Sequence, residues 1–172
     1  MGAKSKFPTV VSSRWKSALL GALVAGCGGG CLGTEAGERY ASVVDGHLGT
    51  PFVDPSAPHA DPARALGPPD GRTVALGEGA SITLRFFRDI PNGAGPDLRV
   101  VEIGPDDAQA LVAVSMDGRT FLEMKAPAQA GGASIFDLDD VGLPTARLVR
   151  IRGLDSSGVD PGFDLDAIEA LH

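Results

Sequence analysis

From about residue 39 to the end of the chain, apolar and polar residues alternate with a period of two between glycine- and proline-rich segments. A period of two is typical of β-strands, because successive side chains of a strand point to opposite faces of its sheet. The clearest example is residues 81–86, where Ile82, Leu84 and Phe86 would share one face. On this pattern we predict strands over residues 81–86, 98–103, 110–115, 147–152 and 163–169.

A tight hairpin is predicted around Asp117-Gly118. These residues separate segments 114–116 and 119–123, and an Asp-Gly pair is suited to the positive dihedral angles of a two-residue turn. No segment after residue 27 has a helical period over more than two turns. Many short strands joined by glycine- and proline-rich turns predict an all-β fold with antiparallel sheets, a sandwich or a barrel.

The first 26 residues form a predicted signal peptide. Four basic residues, Lys4, Lys6, Arg14 and Lys16, precede the uncharged apolar run of residues 17–26. This run is too short to span a bilayer, because a membrane-spanning helix needs about 20 apolar residues. A basic flank followed by a short apolar segment is typical of a secretory signal.

Residues 24–27, Val-Ala-Gly-Cys, resemble a bacterial lipobox. The resemblance implies that cleavage leaves Cys27 as the first residue and that its thiol carries a lipid, which anchors the protein to a membrane without spanning it. A plain signal peptide, or a structural role for Cys27, is the alternative. Residues 27–38 would be a lipidated, flexible tether and residues 39–172 the β domain. In a bacterium with two membranes, Gly28 in place of a retention-signal aspartate implies the outer membrane or the cell surface.

Charge and cysteine content exclude several functions. The net charge of the whole chain is −7, and removal of the four basic residues of the leader leaves 11 basic and 22 acidic residues. We do not expect a nucleic-acid partner, because that binding depends on clustered Lys and Arg side chains. Cys27 and Cys31 are the only cysteines, so a zinc site built on thiolates and a disulfide scaffold are both excluded.

Three segments resemble the discoidin-like, or galactose-binding-like, domains of bacterial cell-surface proteins. They are the predicted hairpin at residues 112–121, the strand at 146–151 and the segment 162–168. Four upstream segments match in the expected order, namely residues 40–44, 65–71, 79–84 and 95–102. The likeness spans about residues 39–170 and implies a jelly-roll β-sandwich, in which two antiparallel sheets enclose one core.

Four carboxylates are candidate calcium ligands. Asp97 and Glu102 lie around one predicted strand, and Asp164 and Asp166 share a face of the last one. Calcium takes about six to eight oxygen ligands, and galactose-binding-like domains often carry it. The resemblance therefore implies a structural calcium, as a tentative cofactor, at Asp97, Glu102, Asp164 and Asp166. The alternative is that these carboxylates are solvated or are paired with Arg99, Arg147, Arg150 or Arg152.

The sequence contains no pattern typical of an active site. His47, His59 and His172 lack the spacing of metal ligands, no serine lies in a G-x-S-x-G motif, and Ser115 belongs to the predicted hairpin. We therefore expect a non-catalytic lipoprotein of the cell envelope, a binding or structural module that contacts a protein or another envelope component.

Calcium-dependent carbohydrate binding is the alternative function, and an envelope-associated hydrolase is a more distant one. Sugar rings stack on exposed aromatic faces. The only Trp, Trp15, lies in the leader, and Tyr40 is the only Tyr. Carbohydrate binding through aromatic stacking is therefore expected to be weak.

Overall fold

The computed structural model describes residues 35–49, 57–104, 107–154 and 162–172. The predicted signal peptide, Cys27 as the predicted site of lipidation, and the second cysteine, Cys31, lie outside these ranges. In the described part the chain forms ten strands: β1 Ala41–Leu48, β2 Val74–Leu76, β3 Ser81–Pro91, β4 Leu98–Glu102, β5 Gln109–Ser115, β6 Leu122–Glu123, β7 Ala128–Gln129, β8 Ala133–Phe136, β9 Thr145–Gly153 and β10 Phe163–Ala170. Helical structure in these residues is limited to α1, Glu35–Glu38, and the 3₁₀ segments Pro58–Ala60, Pro62–Ala65 and Leu138–Asp140.

The strands form two antiparallel sheets. The large sheet has the order β1-β3-β9-β5-β6, with β7 also paired to β5, and the small sheet has the order β2-β10-β4-β8. Apolar side chains from both sheets belong to one core, as in a sandwich. The predicted all-β antiparallel sandwich is therefore confirmed. No helix in the described ranges has the length and apolar character that crossing a bilayer requires.

All five predicted strands are present, with small differences at their ends. The inward positions of the central strands are fully buried, for example Ile82 and Leu84 on β3 and Val149 and Ile151 on β9. β3 continues five residues past its predicted end, to Pro91, because the pairing with β9 resumes after an irregularity between Arg85 and Ile90. The period of two held best where a strand lies in the middle of a sheet.

The hairpin between β5 and β6 is present, but its predicted two-residue turn is wrong. Val114 and Leu122 are the last paired residues, so seven residues form the loop. Gly118 has a φ of 74°, whereas Asp117 does not have the positive φ that a type I′ turn requires at both central positions. Instead, Asp117 Oδ1 accepts hydrogen bonds from the backbone N–H groups of Arg119 at 2.9 Å and Thr120 at 3.0 Å.

One glycine marks a close backbone approach between β9 and the end of β2. A Cβ atom on Gly153 would overlap with the carbonyl oxygen of Leu76. The N–H of Gly153 donates to Ala80 O at 3.0 Å, and its carbonyl accepts from Gly79 N at 3.2 Å. Gly153 is thus needed where the chain before β3 crosses the end of β9.

Candidate functional site

Asp97, the first of the four predicted calcium ligands, holds three segments of the chain together. It is fully buried immediately before β4. Its Oδ1 accepts from Gly93 N at 2.7 Å, and its Oδ2 accepts from Leu138 N at 2.8 Å. Its carbonyl accepts from Leu171 N at 2.9 Å. Asp97 thereby satisfies backbone donors that burial would otherwise leave unpaired.

The other three predicted ligands lie at or near the opposite end of β4. Glu102 is buried, and its Oε2 accepts from Gly131 N at 2.5 Å. Asp166 is buried on β10 and accepts from the backbone N–H groups of Asp70 at 3.2 Å and Gly71 at 3.3 Å. Asp164 Oδ1 accepts from the hydroxyl of Thr73 at 3.4 Å.

The four carboxylates do not converge on one point. Glu102 and Asp164 approach each other, because a Cβ atom on Gly104 would meet Glu102 Oε1 and lie 3.6 Å from Asp164 Oδ2. Asp97 is five residues from Glu102 along the strand, a distance of about 16 Å. Among the described residues, no three His, Cys, Asp or Glu side chains are grouped so that they would hold a metal ion. Calcium binding itself stays a prediction.

Three of the four arginines named as alternative partners of these carboxylates, Arg99, Arg147 and Arg150, contact other groups. Arg99 pairs with Glu169, and Arg147 Nη1 lies 3.7 Å from Asp89 Oδ1. Arg150 donates to a hydroxyl on β3. Backbone N–H groups, rather than arginines, are the donors to Asp97, Glu102 and Asp166.

A different cluster of charged residues occupies the outer surface of the large sheet. We call it the arginine face; it comprises Arg85 on β3 and Arg147, Arg150 and Arg152 on β9, all of them exposed. β9 is the third of five strands in the sheet order, so Arg150 and Arg152 lie on a central strand. Arg152 is the next-to-last residue of β9 and pairs with the first residue of β3, so it lies close to the end of the sandwich. Two residues apart on one strand, they point the same way and are about 7 Å apart.

The positions beside these two arginines carry mostly short side chains. Arg150 pairs with Thr83 on β3 and with Ala113 on β5. Arg152 pairs with Ser81 on β3 and with Leu111 on β5. Across the strand from Thr83, the residue on β1 is Gly46. The arginines therefore stand on an open, flat surface rather than in a deep pocket.

The guanidinium of Arg150 is held in place from two sides. Its Nε donates to Thr83 Oγ1 at 3.1 Å, and its Cζ lies 3.7 Å from the centre of the Phe121 ring. Stacking of a cation on an aromatic face stabilises the arrangement by about 0.5–1 kcal/mol at an exposed site. The remaining N–H groups of Arg150 keep a fixed direction and are available for other acceptors.

Charge on the arginine face is only partly neutralised. Arg85 forms an ion pair with Asp45 of β1, and Arg147 is close to Asp89. Neither Arg150 nor Arg152 has a described carboxylate within ion-pair distance. In a chain with a net charge of −7, these two residues form a localised positive centre.

The loop between β5 and β6 forms one wall of a shallow cavity at the side of this face. The cavity has a volume of about 420 Å³ and is lined by Asp45, Arg85, Met116, Asp117, Gly118, Arg147 and Leu148. The N–H groups of Thr120 and Arg119 lower the pKa of Asp117 from its ordinary value of 3.8. Ser115, the last residue of β5, contacts this loop: its hydroxyl donates to Asp117 at 3.2 Å and accepts from Gly118 N at 2.9 Å. Both bonds of the Ser115 hydroxyl stay within the hairpin that the sequence predicted.

Sequence reasoning did not single out the arginine face. The signal for it was present in residues 147–152, where Arg150 and Arg152 alternate with the apolar Val149 and Ile151. The sequence does not show which carboxylates neutralise which arginines, because that depends on the pairing of β9 with β3 and β5.

Comparison with known proteins gives similarity in structure only. The chain matches no family model and no curated protein. A solved structure of chitosan-binding module 1, derived from the chitosanase/glucanase of Paenibacillus sp. IK-5, is similar with a TM-score of 0.50 and 16% identity, over 80% of this chain and 98% of that chain. This similarity supports the sandwich fold.

Two further carbohydrate-binding modules are similar at lower scores. The CBM32 of AlyQ, solved in complex with 4,5-unsaturated mannuronic acid, has a TM-score of 0.47 and 14% identity, over 77% of this chain and 98% of that chain. A pectin binding carbohydrate binding module has a TM-score of 0.48 and 14% identity, over 76% of this chain and 88% of that chain.

Proposed function

We propose that this protein is a non-catalytic binding module that holds a carbohydrate on the outer face of its large sheet. The observation that carries the proposal is the pair Arg150 and Arg152, exposed on the central strand β9 without a described carboxylate partner. This proposal adopts the carbohydrate alternative in place of the protein partner that the sequence favoured.

The chemistry of the arginine face suits a polar, extended ligand. Each guanidinium carries five N–H donors in a planar fork, and Arg150 uses one of them for Thr83. The short side chains of Ser81, Thr83 and Ala113 leave room above the sheet for a chain of sugar rings. Binding would depend on hydrogen bonds more than on stacking, since Phe121 already carries Arg150 on its face.

A protein partner has less support from the surface. Stable protein interfaces bury about 1,200–2,000 Å² around a central group of aromatic or apolar anchors. The described large apolar side chains that are exposed are spread over strands of both sheets and over loops, and no element carries more than two of them: Val43, Leu48, Phe87, Ile103, Met116, Ile135 and Leu154. The sandwich is also a fold that a chitosan-binding module uses, which makes a glycan the first ligand class to test.

We further propose that the module is anchored in the cell envelope through a lipid on Cys27, at the outer membrane or the cell surface. Residues 24–27 support this proposal by their resemblance to a lipobox. An anchored sandwich would present the arginine face to envelope or extracellular polysaccharides. Calcium at Glu102 and Asp164 remains a proposal as well, since the two side chains approach each other at Gly104.

Retention of the full chain on immobilised polysaccharides tests the proposed function. The variant Arg150→Gln/Arg152→Gln should lose retention, whereas Arg64→Gln should keep it. Arg64 belongs to the 3₁₀ segment Pro62–Ala65, which packs against β10 of the small sheet and against the edge strand β1, and it is not part of the arginine face. Equal retention of the wild type and the double variant would contradict the proposed site. Absence of retention on every polysaccharide, or release of shortened products, would contradict the proposed function.

A further inference from the structure

The positive charge of the arginine face is local, and the protein around it is acidic. Asp45 pairs with Arg85, and Asp89 lies 3.7 Å from Arg147. Ala113 on β5 pairs with Arg150 on one side and with Glu123 of β6 on the other, so Glu123 is two strands away from Arg150. Of the four arginines of the face, Arg150 and Arg152 are the two with no described carboxylate within ion-pair distance. A ligand that gains from this charge must place its own negative groups over these two residues.

Two arginines about 7 Å apart on one strand could each bind one carboxylate of the same ligand. A planar guanidinium binds a carboxylate through two parallel N–H···O bonds, which are roughly twice as strong as bonds between neutral groups. Arg150 is already oriented by Phe121 and Thr83, so little side-chain freedom is lost when such a bond forms. Neutral sugar hydroxyl groups would use the same donors but would leave the charge uncompensated.

From this arrangement we infer that the ligand is an acidic carbohydrate, a polymer or oligomer of uronic acids whose carboxylates bind Arg150 and Arg152. This inference rests on the proposed function and narrows its ligand class. A cationic polysaccharide such as chitosan would be repelled by the same residues. A nucleic acid is disfavoured, since its binding commonly uses about six to ten phosphate contacts, and the protein carries a net charge of −7.

A matched pair of ligands tests the inference. Titration calorimetry of the full chain with oligogalacturonate is compared with titration using the same oligomer after methyl esterification of its carboxylates. The esterified oligomer keeps the sugar backbone and loses the charge. We expect about ten- to hundredfold weaker binding of the ester. We also expect the affinity for the acid to fall with added NaCl, because screening acts on exposed charges.

Variants connect this discrimination to the two arginines. Arg152→Gln should lose about tenfold or more in affinity for the acid and little for the ester. Arg150→Lys keeps the charge without the planar fork and should fall between the wild type and Arg150→Gln. Arg64→Gln removes one positive charge, as Arg152→Gln does, but outside the arginine face, so this variant should bind the acid like the wild type.

The possible outcomes separate the inference from the function on which it rests. One outcome is that the wild type binds the acid and the ester with equal affinity and the Arg150→Gln/Arg152→Gln variant binds neither. This result would support carbohydrate binding at the arginine face but would overturn the inference that the ligand is acidic. Failure of both ligands and of neutral and cationic polysaccharides would overturn the proposed function too. Equal affinity for polyglutamate and oligogalacturonate would also overturn the inference, because it would show that charge alone is recognised.

Discussion

Replacement of Asp97 by alanine should strongly destabilise the fold. The side chain is fully buried and accepts hydrogen bonds from Leu138 N at 2.8 Å and Gly93 N at 2.7 Å. A buried donor left without a partner costs about 1–3 kcal/mol. Leu138 N is buried and would cost close to the upper value, whereas the partly buried Gly93 N would cost close to the lower. We therefore expect a loss of about 4 kcal/mol, a large part of the stability of a typical domain.

Equilibrium unfolding in urea measures this loss. The free energies of unfolding of the variants are compared with the same dependence on urea concentration, the m value. Asp97→Asn should lose less, about 2 kcal/mol, because one amide oxygen still accepts while the amide N–H₂ faces the other donor. Asp139→Ala is the control, since the exposed side chain of Asp139 accepts only from the side chain of Asn92 among the described hydrogen bonds. Its effect should stay within about 0.5 kcal/mol. A loss below about 1 kcal/mol for Asp97→Ala would refute the structural role given to this carboxylate.

Three further predictions concern a glycine, a loop carboxylate and the lipid anchor. Gly153→Ala should cost more than about 3 kcal/mol or prevent folding, because its Cβ would overlap with backbone; Gly46→Ala, which has open space, should be nearly neutral in the same urea titration. The pKa of Asp117 is lowered in the folded state by the N–H groups of Thr120 and Arg119, so its carboxylate stabilises the fold above its ordinary pKa of 3.8. That stabilisation is lost as the pH falls through the lower folded-state pKa, and the difference between wild type and Asp117→Ala should shrink there; an unchanged difference would contradict the assignment. In a bacterial expression host, Cys27→Ser should abolish incorporation of a labelled fatty acid into the protein, and persistent labelling would place the acylation at another residue.

Much of the sandwich was predictable from the alternation of residue types. β3 and β9 lie in the interior of the large sheet, so their inward residues had to be apolar and gave a clear period of two. β1 was missed as a strand because it lies at the edge of the sheet and most of its residues are exposed. Its pairing with β3 also contains two irregularities, one beside Gly46, which break the regular pattern.

The candidate site was harder to predict. Asp97 and Glu102 lie at opposite ends of the strand that the sequence predicted. Two side chains so far apart cannot bind one ion, so the predicted strand was already at odds with their joint role as ligands. That backbone N–H groups would satisfy Asp97 and Glu102 could not be read from the sequence, because the donors Leu138 and Gly131 are far away in the chain. The arginine face depends on the register of β9 with its neighbours, which the pattern of a single strand does not contain.

The position of the bound ligand tests the central claim most directly. In an NMR titration of the full chain with oligogalacturonate, the backbone signals of Thr83, Ala113, Arg150 and Arg152 should shift together and saturate at one dissociation constant. Shifts confined to Gly104 and Leu154, which follow β4 and β9 at the end of the sandwich, would show that the ligand binds the connecting loops and would contradict the arginine face as the binding site.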